Sequence, residues 1–194
     1  MSTQALLAAP ALLVAAMAQA SPATTTLYAN TGTDSGLGVL SQAAGGFVAE
    51  AADDFTVPAG EHWTITEVDV TGVYFNGSGP ADAQGVTIYR ASHGRVGEVV
   101  ARYPRLAGVD NGGSFRIAIP KTRLRPGVYY VSVVVDMAFG AGGEWHWENL
   151  LEVHGHHPRW QNPGGGVCQT WTREKKCFGP GLGDHFFALQ GYVD

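Results

Sequence analysis

Phe115-Arg116-Ile117-Ala118-Ile119, followed beyond Pro126-Gly127 by Val128-Tyr129-Tyr130-Val131-Ser132-Val133-Val134-Val135, is the stretch that decides the fold class. In its first half Phe115, Ile117 and Ile119 fall on one face, with Arg116 and Ala118 on the other. In its second half Tyr129, Val131, Val133 and Val135 share a face. A side-chain period of two is that of a half-buried strand, and the Pro-Gly pair between the halves is turn chemistry.

The same grammar extends in both directions. Upstream, Asp110-Asn111-Gly112-Gly113 is a turn, and Val86-Thr87-Ile88-Tyr89 and Val99-Val100-Ala101-Arg102-Tyr103 read as strands. Further back, Trp63 to Tyr74 reads as one long strand whose apolar positions run 63, 65 and then 68, 70, a change of phase that requires a bulge near Thr66 and Glu67. Thr25-Thr26-Leu27-Tyr28 and Asp54-Phe55-Thr56-Val57 add strands, Asn30 to Gly36 reads as a glycine-rich loop, and Asp184 to Tyr192 closes the domain. No window past residue 20 shows a helical repeat. About eight short strands separated by turn clusters predict an all-β fold, an antiparallel β-sandwich of jelly-roll-like form.

Composition bounds the function. Hydrophobic residues make up 45% of the chain and charged residues 15%, which excludes a disordered or coiled-coil protein. The balance of 12 Lys+Arg against 17 Asp+Glu argues against a broad basic surface, so neither nucleic acid nor, in the mature form, a membrane is an expected partner.

Ala5 to Met17 is an apolar run ending in Ala18-Gln19-Ala20, a small-x-small cleavage pattern, although Met1-Ser2-Thr3-Gln4 lacks the usual basic residue. Residues 1–20 therefore read as a signal peptide and 21–194 as a single β-sandwich domain, secreted or periplasmic. Cys168 and Cys177 are the two cysteines, and an even count in an exported chain reads as a disulfide, closing a loop that holds Arg173-Glu174-Lys175-Lys176.

Ala51-Ala52-Asp53-Asp54-Phe55-Thr56-Val57-Pro58-Ala59-Gly60, Val70 to Pro80, Asn111-Gly112-Gly113-Ser114-Phe115, Gly127 to Val133 and Trp160-Gln161-Asn162-Pro163-Gly164-Gly165-Gly166 together resemble a secreted bacterial β-sandwich module, found alone or beside secreted proteases and in surface-anchored proteins. The resemblance covers nearly the whole of 21–194. It implies fold and export, and it carries over no catalytic residue. Surface-anchored relatives would end in an apolar segment, whereas this sequence runs out at Gly191-Tyr192-Val193-Asp194, which implies a released or periplasmic member.

The window richest in chemistry is Glu144-Trp145-His146-Trp147-Glu148. On a strand, Glu144, His146 and Glu148 share one face and Trp145 and Trp147 the other. With Trp160 they form the expected contact surface, the rings stacking on a sugar and the polar trio bonding its hydroxyls; the plainer alternative puts the rings in the core. His154, His156 and His157 are weak metal candidates. Asp34, Asp53, Asp54, Asp110 and Asn111 lie in or beside expected turns that would admit calcium, although no cofactor is required. Gly-x-Ser-x-Gly, His-Glu-x-x-His and a phosphate-cradling loop are all missing from the sequence. The expected function is a non-enzymatic module that binds an extracellular polysaccharide or a protein. The alternative is a small secreted metal-dependent hydrolase built on Glu144 to His157.

Overall fold

A computed structural model describes residues 23–194; the expected signal peptide and its cleavage site lie outside the described residues. Along the chain the strands are β1 (Thr25–Asn30), β2 (Asp34–Leu40), β3 (Gln42–Ala44), β4 (Phe47–Val57), β5 (Trp63–Val70), β6 (Gly72–Phe75), β7 (Ala83–Ser92), β8 (Arg95–Leu106), β9 (Val109–Asn111), β10 (Ser114–Leu124) and β11 (Gly127–Asp136). After the short helix α1 (Phe139–Gly142) come β12 (Glu144–Leu150), β13 (Arg159–Gln161), β14 (Thr172–Arg173), the helix α2 (Glu174–Phe178) and β15 (Phe187–Val193). No helix among the described residues is long and apolar enough to cross a membrane.

These strands form an all-β sandwich. One sheet has the order β1-β15-β5-β10-β9, a second β14-β13-β4-β3-β11-β7-β8, and a three-stranded sheet β2-β12-β6 packs against them. The pairings are antiparallel apart from β3 with β11. The alternation that decided the fold is realised directly: Phe115 and Ile117 of β10 and Val131, Val133 and Val135 of β11 are buried in one core. Aromatic rings tie the layers together. Phe55 of β4 lies parallel to Trp63 of β5, with centroids 6.4 Å apart, and also stacks on Tyr129 at 5.6 Å.

The bulge predicted near Thr66 is present. Glu67 pairs with Gln190 while Ile65 pairs with Gly191, which leaves Thr66 unopposed and keeps Trp63, Ile65, Val68 and Val70 all facing inward. The single strand expected over 63–74 is, however, two. The chain breaks at Thr71 and passes into another sheet, where β6 pairs with β12. Alternation continues across such a break, so it does not reveal it. The loop expected over Asn30 to Gly36 is shorter than read, because Asp34 already begins β2 and pairs with Leu150.

Candidate functional site

The three tryptophans expected at a contact surface are core residues. Trp145 and Trp147 are fully buried and Trp160 almost so. Each indole N–H is spent on a backbone carbonyl: Trp145 donates to Gly113 at 2.6 Å, Trp147 to Phe186 at 2.9 Å and Trp160 to Leu40 at 2.8 Å. The alternation of β12 is present, and the plainer alternative, with the rings in the core, is the one realised. The face carrying Trp145 and Trp147 packs on Phe115, His185 and Phe187, all supplied from elsewhere in the chain.

Glu144, His146 and Glu148 occupy the other, half-open face of β12 as expected. His146 Nδ1 lies 3.2 Å from the Gly38 carbonyl and Nε2 3.5 Å from Glu144 Oε2. Glu148 is pushed up by burial and by the nearby Asp34. The window Glu144 to His157 does not converge on one site: His146 is on this face, His154 reaches Asn30, and His156 and His157 line a cleft beyond it. Among the described residues, no three His, Cys, Asp or Glu side chains are grouped to hold a metal ion.

That cleft has a volume of about 720 Å³, and three separate segments build it. The first is the β7–β8 hairpin. Ser92 pairs with Arg95 across His93 and Gly94, both at positive φ (52° and 67°), the conformation of a two-residue type I′ turn. The second is the segment Gly155 to Arg159. The third is Trp171, Thr172, Arg173 and Lys176, all inside the loop closed by the Cys168–Cys177 disulfide, whose Cα atoms are 6.0 Å apart.

Buried groups fasten each wall. Arg159, 8% exposed, and the Tyr130 hydroxyl both donate to the Gly94 carbonyl, which joins the hairpin to β13. The half-buried Trp171 stands edge-on to Tyr89 at 5.6 Å, and the Tyr89 hydroxyl donates to the buried Glu50 at 2.7 Å. Glu174 turns inward from the disulfide loop to full burial. Its Oε1 lies 2.7 Å from His185 Nε2 and its Oε2 accepts Asn149 Nδ2 at 3.1 Å, while His185 stacks on Trp147 at 4.5 Å. One inward carboxylate therefore holds a loop whose neighbouring Arg173, Lys175 and Lys176 all face out.

Beneath the second wall lies an acidic network. Asp53 and Asp54, expected beside a turn, are instead buried within β4. Asp53 Oδ2 accepts Asn30 Nδ2 at 3.1 Å and the His185 N–H at 2.7 Å, and Asp54 Oδ1 accepts the His156 N–H at 2.8 Å. Asp184 accepts the His154 N–H. Gly155 sits between those two amides at φ 97°, and a Cβ there would meet Asp54 Oδ2 at 2.7 Å. Buried carboxylates thus shape the cleft wall through backbone amides. Asp34 and Asp110 are engaged elsewhere, Asp34 with the Gly36 N–H and Asp110 with the Tyr74 hydroxyl and the Gly113 N–H. Asn111 is exposed on β9.

Burial raises the carboxyls of this network. Asp54 is pushed up to about 7, with the His156 N–H opposing and Asp184 reinforcing the rise. Asp184 rises to about 6 by burial, against the His154 N–H, and Asp53 rises by burial and by the charge of Asp184. A carboxyl raised in the folded state holds a proton that the unfolded chain releases. Its penalty is absent below the unfolded value of 3.8, grows as pH rises, and is complete above about 7 for Asp54. In Asp54→Asn the amide oxygen still accepts the His156 N–H without carrying a charge. We expect this variant to gain about 2 kcal/mol on the parent between acidic and mildly alkaline pH, read from urea unfolding at pH values bracketing that window. A constant difference across the window would remove Asp54 from the titration.

Comparison with protein families, with curated proteins and with solved structures finds no match for this chain.

The sequence left His93, Arg95, Arg159 and Trp171 unmarked. A local signal existed for two of them, since His-Gly between Ser92 and Arg95 separates two strand-like runs as a two-residue hairpin does. For Arg159 and Trp171 there was none.

Proposed function

We propose that this protein is a non-enzymatic, extracellular carbohydrate-binding module whose ligand occupies the cleft between the β7–β8 hairpin, the 155–159 segment and the disulfide loop. The observation that carries the proposal is the half-buried Trp171 among hydrogen-bonding side chains in that cleft. Its indole provides a flat apolar face and its neighbours His93, His156, Thr172 and Arg173 provide donors, the combination that a sugar ring requires of its receptor. The export signal read in residues 1–20 and the disulfide support an extracellular setting.

The scaffold also suits a fixed binding surface. The walls are fastened from below by Glu50, Glu174 and the Asp53–Asp54–Asp184 network. Trp171→Ala is expected to weaken retention on a polysaccharide fraction about tenfold, the scale of one lost stacking contact. The midpoint of thermal unfolding should change little, because the ring is only half buried. Affinity electrophoresis beside a melting curve tests this. Retention equal to that of the parent would move the ligand elsewhere.

A further inference from the structure

The charges around the cleft identify the ligand more narrowly. Arg95, Arg159, Arg173 and Lys176 line it, four of the chain's 12 Lys+Arg, in a protein whose acidic residues outnumber its basic ones at 17 to 12. Lys175 stands just outside, its Nζ 3.2 Å from His157 Nε2. No Asp or Glu is among the lining residues. Chance scatter over a net acidic surface would interleave the two signs, and here the cations are segregated.

Two further features point the same way. Arg159 is a buried guanidinium whose Nε has no hydrogen-bond partner, so it brings fixed and incompletely satisfied positive charge to the floor of the cleft. Asp54, which feels the Arg159 charge, is raised to about 7 by burial and carries an incomplete charge at neutral pH. His157 is held below its ordinary value, by burial first and then by Lys175, Arg173 and Arg159, as expected of an imidazole in a positive field. Such a cluster costs self-repulsion in the free protein, and an anion that enters relieves it.

We infer that the cleft binds an acidic polysaccharide, one bearing uronate carboxylates or sulfate esters, with Arg95, Arg173 and Lys176 meeting the anionic groups and Trp171 stacking on the ring. This rests on the carbohydrate reading above and narrows it. Arginine suits the task because its planar fork pairs with two oxygens of a carboxylate or sulfate, and Lys176 adds a point charge. Arg173 and Lys176 are exposed and stand on a loop fixed by Glu174 and the disulfide, so their position does not depend on the ligand.

The test uses the full chain with polygalacturonate, dextran sulfate, neutral dextran and inorganic sulfate, each titrated while intrinsic tryptophan fluorescence is followed in the parent and in Trp171→Phe, the difference reporting Trp171. We expect binding to one or both acidic polymers, none to neutral dextran, and loss of most affinity between about 0.05 and about 0.5 M NaCl as charges are screened. The double variant Arg173→Glu, Lys176→Glu should bind at least about tenfold more weakly with an unchanged melting midpoint, because both side chains are solvent-exposed. The two acidic polymers separate uronate from sulfate recognition. Binding to neutral dextran as tight as to the acidic polymers, and insensitive to salt, would overturn the anionic inference and leave the carbohydrate reading standing. Binding of free sulfate with none of the polymers would uphold an anion site and overturn the carbohydrate reading. Unchanged affinity of the double variant for an acidic polymer would overturn the placement of its charges in this cleft.

Discussion

Trp147→Ala is expected to cost about 3–5 kcal/mol of folding stability, the range for removing a large aromatic ring from a packed core. The ring is fully buried, stacks on His185 at 4.5 Å with planes 19° apart, and lies 6.2 Å from Phe187 in an edge-on contact. Its loss opens a cavity where β12 meets β15 and leaves the Phe186 carbonyl without its indole donor. His185 also loses the surface that fixes its plane, and with it the alignment toward Glu174. The cost should therefore exceed that of the lost apolar area alone. Chemical denaturation of the variant and of Trp171→Ala measures the contrast. A cost below about 1 kcal/mol for Trp147→Ala would contradict the packing described here, since that is the value for a surface ring.

Glu174→Ala should cost about 2–4 kcal/mol and also weaken ligand retention. The side chain is buried with two partners, His185 Nε2 and Asn149 Nδ2, and alanine satisfies neither. Asn149 keeps its bond to the Gly183 carbonyl at 3.0 Å, so the larger loss falls on His185. Because Glu174 is the inward anchor of the Cys168–Cys177 loop, its removal frees the segment that carries Trp171, Arg173 and Lys176. Glu174→Gln keeps an acceptor oxygen and an isosteric shape, and should recover a large part of both stability and binding. If Glu174→Ala lowered stability while Glu174→Gln and the parent bound with equal affinity, the anchor would be confirmed as a matter of shape and hydrogen bonding. If Glu174→Ala left both properties unchanged, the loop would be held by the disulfide alone.

These two residues illustrate the boundary between local and long-range information. The alternation Glu144-Trp145-His146-Trp147-Glu148 states that one face of β12 is aromatic and the other polar, because the period of a strand is a property of neighbouring residues. Whether the aromatic face is solvent or core depends on a second layer, here Phe115 from β10 with His185 and Phe187 from near the C-terminus. Glu174 sits in a run of charged residues, Arg173-Glu174-Lys175-Lys176, that reads as a solvated loop. Only its contacts with Asn149 and His185, residues from other segments, mark it as the buried member.

What the sequence determined by itself is the all-β class, the strands β5, β7, β10 and β11, the bulge at Thr66 and the pairing of its two cysteines. Each of these follows from interactions among residues a few positions apart, or from there being one possible partner. Tertiary structure alone decided the break at Thr71, the burial of Asp53 and Asp54 within β4, and the cleft itself. Its walls come from residues 93–95, 155–159 and 171–176, which only the packing of the β7–β8 hairpin, β13 and the disulfide loop places together. Net charge was legible and its distribution was not. An acidic total of −5 conceals a cationic cleft, because a sum over residues carries no positions and an electrostatic field depends on them.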